Sequence, residues 1–187
     1  MEPPLAARQH LRDSIRVLDP DEHQVEWLTD DQWSLRLASF GHVSLGDLNR
    51  IQDGLSEVTA ATTPFTLRLA RVVPLPEDGD DSVWVEVAGG NAPVELSNRI
   101  AAAMRHTGFF LDRRSFRPRI RLARVGPQTT VEFLERVVSE LGNYRGPAWT
   151  ASQVTLAIRR RDTESGHARL IPRARLPLGK DLHATNR

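Results

Sequence analysis

The sequence predicts an α+β fold in which two lobes of antiparallel sheet, related by an approximate two-fold, carry their helices on the outside. Two observations lead there. Apolar residues recur at period two in short segments and at helical spacing in longer ones, and the two kinds of segment are interspersed along the chain. The second is a weak internal repeat: Ser34-Leu35-Arg36-Leu37-Ala38 resembles Arg119-Ile120-Arg121-Leu122-Ala123. Each copy reads as a strand followed by a short link and a helix, which points to two related lobes.

The elements follow in order. Met1-Glu2-Pro3-Pro4 marks a helix start, with Leu5, Leu11, Ile15 and Leu18 on one face and an end before Pro20. Residues 25–28 form a short strand candidate, and 33–40 alternate at period two until Gly41 stops them. Ser44 caps a helix running to about Ala61, with Leu45, Leu48, Ile51, Leu55 and Val58 as its apolar face. Residues 65–73 and 82–88 are strands separated by an acidic turn at 76–81, the pattern of a hairpin. A second amphipathic helix spans 93–107, carries Leu96, Ile100 and Met104, and stops at Gly108. A strand at 119–125, a helix at 130–141 and a last strand pair at 154–160 and 169–176 around Ser165-Gly166 complete the chain. Residues 1–178 are expected to form a single bilobal domain, and 179–187 a disordered tail.

With 187 residues, 40% of them apolar, the chain is long enough to bury a substantial core. The absence of Cys excludes a disulfide scaffold, a thiolate zinc site and a cysteine nucleophile. Met1 to His10 carries charge early and lacks the unbroken apolar stretch of a signal peptide or membrane span, so a soluble cytoplasmic protein is expected. A metal-ligand cluster, a glycine-rich phosphate loop and a Ser-His-Asp order are all missing, and neither metal nor cofactor is predicted.

The net charge of +1 conceals a strong asymmetry. Residues 1–93 hold 16 acidic side chains against 7 arginines, a balance of −9, and the remainder holds 18 basic against 8 acidic, a balance of +10. A basic half is the footprint of a phosphate or nucleic-acid binder. Attraction between two oppositely charged lobes would produce the same asymmetry. Lys180 is the single lysine and all other cations are Arg, a bias that a GC-rich genome produces as readily as a need for bidentate phosphate contacts.

Two segments resemble the paired motifs of the 2H phosphoesterases, and within them the 2′-5′ RNA ligase or RNA 2′,3′-cyclic phosphodiesterase group. That family carries two His-x-Thr motifs, one in a strand ending near Phe-Leu-Gly and one in a Phe-x-Pro-His-x-Thr-Leu-x-Arg segment. The matching frames here are Trp33-Ser34-Leu35-Arg36-Leu37-Ala38-Ser39-Phe40-Gly41 and Phe116-Arg117-Pro118-Arg119-Ile120-Arg121-Leu122-Ala123-Arg124. Glu26-Trp27, Val83-Trp84-Val85 and Gly108-Phe109 also fall where the family has similar residues, so the resemblance covers nearly the whole chain. It implies a cleft between the two lobes and a ligand that is an RNA end or a phosphorylated nucleotide.

The departures carry the chemistry. Ser34 and Arg119 stand where the family has its two histidines, and Arg36 and Arg121 where it has its two hydroxyl residues. The implied mechanism uses one His to take a proton from the attacking water and the other to protonate the leaving ribose oxygen, which needs groups that titrate near neutral pH. Arginine stays protonated above pH 12 and has no acceptor, and serine alone is no base. Each loss typically costs roughly 10²- to 10⁴-fold. His42, past the first strand, His106, in a final helical turn, and His167, near a turn, offer no obvious rescue, and His10, His23 and His183 read as solvated surface residues.

Period two puts Ser34 with Arg36, and Arg119 with Arg121, each pair on one face of its strand. If the lobes face each other as the resemblance implies, three guanidinium groups and one hydroxyl converge on a phosphate-binding cleft, with Phe40, Phe116 and Arg124 as further lining. The competing expectation is that Arg36, Arg119 and Arg121 are neutralised by carboxylates such as Glu26 or Glu86. The function expected first is a phosphate-, nucleotide- or RNA-end-binding pseudoenzyme that has lost both catalytic histidines. An active cyclic phosphodiesterase with a non-histidine mechanism and a scaffold with a relic cleft are the alternatives. Family members also open with a strand of the Arg-Leu-Phe-Val-Ala type, whereas this sequence opens at Glu2-Pro3-Pro4; a start codon assigned too late is expected, the alternative being a lobe with one strand fewer and an edge to cover.

Overall fold

Pro3 and Pro4 precede α1 (Leu5–Leu18), where a missing backbone donor costs nothing, and the helix buries Ala7, Leu11, Ile15 and Leu18. The computed structural model describes residues 1–18, 24–77, 80–109, 111, 116–161 and 168–179. Leu5, expected on the apolar face, is 56% exposed, and Ala7 takes its place one turn above Leu11. Helix α2 (Leu45–Ala60) begins at Ser44, the predicted cap, and the structure completes it as a capping box: the Ser44 hydroxyl accepts from the Asp47 N–H, and the Asp47 carboxylate accepts from Ser44. Its face is Leu48, Ile51, Leu55 and Val58, while Leu45 in the first turn stays exposed.

Helix α3 (Ala92–His106) carries a proline in its first turn and buries Leu96, Ser97, Ile100 and Met104. Gly108 follows at φ +88°, the left-handed conformation that makes it a stop signal. In α4 (Val131–Leu141) the Thr130 hydroxyl caps the Phe133 N–H, and Phe133, Val137 and Leu141 point inward.

The strands are β1 (Glu26–Trp27), β2 (Phe65–Glu77), β3 (Asp80–Ala88), β4 (Arg119–Arg124), β5 (Arg145–Ala151), β6 (Gln153–Arg161) and β7 (Ala168–Pro177). Five of them form one antiparallel sheet in the order β1-β4-β3-β2-β5, and β6 pairs with β7 in a second. Helices α1 and α4 pack on the first sheet, α2 packs on the second and α3 packs on α2. The fold is therefore α+β, with two helices accompanying each sheet. The centre of the acidic turn at Asp78-Gly79, the Ser165-Gly166 turn and the tail from Lys180 lie outside the described residues.

Two elements differ from the sequence pattern. Residues 145–151 carry no strand signal because Gly146 and Pro147 interrupt them, yet they form β5 at the edge of the sheet, where a missing donor is tolerated. Residues 33–40, expected to be a strand, keep the predicted alternation, with Trp33, Leu35 and Leu37 buried and Ser34 and Arg36 not, but join no ladder. Among the described residues Met1 supplies their one reciprocal pair: its amine donates to the Leu35 carbonyl at 2.9 Å and the Leu35 N–H donates to the Met1 carbonyl at 2.8 Å. One such pair is a unit of antiparallel pairing, too short to count as a strand.

Burial lowers the Met1 amine from 8.0 to about 6. Between those values the unfolded chain binds a proton that the folded chain does not, so stability rises with pH across that window. In a polypeptide beginning at Met1, urea unfolding should give a higher midpoint at pH 8 than at pH 6, and blocking the α-amine should flatten the difference. An unblocked chain with the opposite slope would contradict the buried amine.

Candidate functional site

Antiparallel register decides which side chains share a face. In the β3–β4 pair, Glu86 lies opposite Arg119, Trp84 opposite Arg121, and Val83 opposite Ala123, so Leu122 is an extra residue in β4. Such a bulge re-aims the chain by one position. Leu122 and Ala123 are both buried, and the Leu122 carbonyl accepts from the Leu28 N–H at 2.8 Å. Val83, Val85, Val87, Ile120 and Leu122 enter the core. Trp84, Glu86, Arg119 and Arg121 occupy the opposite face.

The two guanidinium groups converge on one indole. The Arg119 Cζ sits 4.6 Å from the Trp84 ring centroid and the Arg121 Cζ sits 5.0 Å from it. Each contact is a cation–π interaction worth roughly 0.5–2 kcal/mol, and together they hold two like charges side by side. Trp84 is only 9% exposed, and among the described residues its buried Nε1 and the neighbouring Ser82 hydroxyl have no hydrogen-bond partner.

Both carboxylates considered as neutralising partners are engaged by other arginines. Glu86 Oε1 accepts from Arg71 Nη2 at 2.8 Å, and Glu26 lies 3.8 Å from Arg124. Arg71 is the extra residue of a second bulge, in β2, and sits at φ +49° with its N–H donating to the Tyr144 carbonyl. A non-glycine residue there costs on the order of 1 kcal/mol. Arg124, expected as lining, lies opposite Ser82 and so on the Trp84 face of the sheet.

The structure thus brings Arg119 and Arg121 together and places Ser34 and Arg36 on the unburied side of residues 33–40. That segment is anchored through the Leu37 carbonyl, which accepts from the Ser97 hydroxyl of α3 at 2.8 Å. Phe40 and Phe116 are half-buried and pack against the core. The sequence pattern marks Trp84 only as a strand residue and does not disclose its role as the platform under both arginines. Its position directly across from Arg121 becomes visible only once the bulge is known.

Of the histidines, His10 Nδ1 lies 2.9 Å from the Tyr144 hydroxyl, His42 and His106 are exposed, and His23, His167 and His183 lie outside the described residues. Among the described residues, no three His, Asp or Glu side chains are grouped to hold a metal, and no helix is long and apolar enough to cross a membrane.

The same pair of sheets with outer helices recurs in solved structures. It superposes on a Thermus thermophilus protein, TM-score 0.74 at 14% identity, over 95% of each chain. It also superposes on apo Escherichia coli LigT, TM-score 0.71 at 19% identity, over 96% of this chain and 94% of that one. The profile of the 2′-5′ RNA ligase superfamily matches residues 32–163, and the chain belongs to that family. An RNA 2′,3′-cyclic phosphodiesterase of Geobacillus stearothermophilus is 31% identical over 99 residues, which are 52% of this chain and 32% of that relative. This chain therefore spans well under two thirds of that relative's length.

Trp84→Ala should cost about 3–5 kcal/mol, because it removes a buried indole and the support of both arginines. Glu86→Gln, which breaks only the exposed Arg71 pair, should cost under about 1 kcal/mol. Urea unfolding of both variants measures the difference, and equal losses would contradict the platform role.

Proposed function

We propose that this protein is a catalytically degenerate member of its family that binds the phosphorylated ends of RNA or phosphorylated nucleotides. The observation that carries the reading is the pair of guanidinium groups of Arg119 and Arg121 over Trp84. Guanidinium donors pair bidentately with phosphate oxygens, and the indole beneath them keeps the two groups side by side. Ser34 and Arg36, which occupy the matching positions of the first motif, add a hydroxyl and a third cation on this reading. The E. coli LigT structures with 3′-AMP, ATP and phosphate support a ligand of this chemistry.

Hydrolysis of a cyclic phosphate needs one group to accept a proton and one to give it. Ser34, Arg36, Arg119 and Arg121 supply donors and positive charge but no group that titrates near neutrality. The site would hold the ligand without opening it.

A short RNA ending in a 2′,3′-cyclic phosphate, titrated at two salt concentrations and recovered for end-group analysis, tests this. Salt-sensitive binding with the end returned intact is expected, as is a loss on the order of 10- to 100-fold in Arg121→Ala. Multiple turnovers that vanish in Arg119→Ala would replace the reading with that of a phosphodiesterase working without histidine. Absence of salt-sensitive affinity for any phosphorylated end would overturn it.

A further inference from the structure

The β6–β7 ribbon, a different sheet from the one that holds the Arg119–Trp84–Arg121 cluster, carries a second concentration of cations. Its two strands contain six arginines and no aspartate or glutamate. Arg159, Arg160, Arg173 and Arg175 are exposed, and among the described residues none of the four is paired with a carboxylate. Arg50, Arg71 and Arg124, by contrast, each lie against one. Four such charges on one two-stranded ribbon repel one another, and an isolated ribbon is marginal to begin with. Helix α2 packs on the ribbon at its base, and an anion along its length would relieve the repulsion.

The register shows what kind of anion fits. At the base, Val154 and Leu156 lie on the buried face with Leu176. Farther out, the same face carries Ile158 opposite Ile171, both exposed, while Leu170 lies opposite Arg159 on the other face. Arg173 is the extra residue of a bulge between Pro172 and Ala174, which turns the strand there. Cations and apolar side chains are therefore spread over both faces. A bilayer surface needs one apolar face and one charged face, which this ribbon lacks. Duplex RNA keeps its bases stacked inside, with only 2′-hydroxyls, base edges and phosphates in reach across its shallow minor groove, and so gives the exposed Ile158, Leu170 and Ile171 no base face to cover. A single strand presents phosphates for the guanidinium groups and sugars and base faces for the apolar side chains.

We propose that the β6–β7 ribbon binds single-stranded RNA along its sugar-phosphate backbone without reading sequence, independently of any end recognition at Arg119 and Arg121. The full chain is titrated with a fluorescent RNA of about 12 nucleotides, a length within the usual site sizes of single-strand binders, ending in an unphosphorylated 3′-hydroxyl. The wild-type logarithmic affinity should fall linearly with the logarithm of salt concentration. In the combined variant Arg159→Gln, Arg160→Gln, Arg173→Gln and Arg175→Gln the slope should flatten by about 0.7 for each phosphate no longer neutralised, close to 3 in all. Arg50→Gln, at an exposed arginine that belongs to neither surface, should keep the wild-type slope on this RNA. Should the combined variant unfold, Arg159→Gln and Arg175→Gln alone should each flatten the slope by about 0.7.

A folded combined variant with wild-type affinity and slope would overturn the proposal, as would wild-type binding to phosphatidylserine vesicles but not to this RNA. Loss of binding to the unphosphorylated RNA in Arg119→Ala, with the ribbon variant unaffected, would assign the binding to the other surface and overturn it as well. The end-recognition reading is judged separately, by the phosphorylated RNA.

Discussion

One extra residue in β4 sets the chemistry of the large sheet. Were β3 and β4 paired without the bulge, continuing from Val83 opposite Ala123 would put Leu122 across from Trp84 and Arg121 across from Val85. A slip of one position flips every subsequent side chain to the other face. Arg119 and Arg121 would then enter the core beside Val83, Val85 and Val87, where an unpaired cation is ruinously costly. The bulge at Leu122 lets Leu122 and Ala123 both stay buried while the two arginines emerge over Trp84.

Trp84 turns that geometry into a candidate site. A bare pair of guanidinium groups at period two would swing apart in water, each keeping its own hydration. The indole face attracts both, and its near-complete burial leaves it little room to move. Arg71 contributes from the neighbouring strand: its left-handed backbone accommodates a second bulge, and its side chain holds Glu86, the carboxylate directly across from Arg119. Strained backbone supported by surrounding structure is common near functional sites. Here it places an acidic residue in the row beside the two cations while tying its charge to a third arginine.

The helices are legible in the sequence because their signals are local. Ser44 with Asp47, Thr130 with Phe133 and Gly108 at positive φ each announce a terminus within three or four residues of sequence. The ends of the apolar faces are less so, since Leu5 and Leu45 satisfy the helical spacing but lie in first turns that stay exposed. Strands depend on partners that sequence does not name. Residues 33–40 have the alternation of a strand, and the arrangement gives them a single reciprocal pair with Met1; residues 145–151 lack the alternation and are held in the sheet by β2. The arginines of the candidate site are found by their spacing, and Trp84 is not, because cross-strand neighbours are set by a bulge that leaves no trace in composition.

The charge asymmetry of the sequence also resolves into places. Part of the excess positive charge stands over Trp84 and part runs along β6 and β7, and the cations in both places are arginines. Guanidinium groups stay charged across the physiological pH range. Histidines in the same positions would make both binding and proton transfer depend on pH near neutrality. With arginine the protein's side of the interaction is constant, and a phosphate monoester, whose second ionisation lies near pH 6, becomes the only partner whose charge changes. An exchange of titrating groups for fixed ones gives up the means of moving a proton and strengthens the hold on an anion. On the function proposed above, a single substitution pattern therefore accounts both for the loss of catalytic chemistry and for the retention of a phosphate-binding surface.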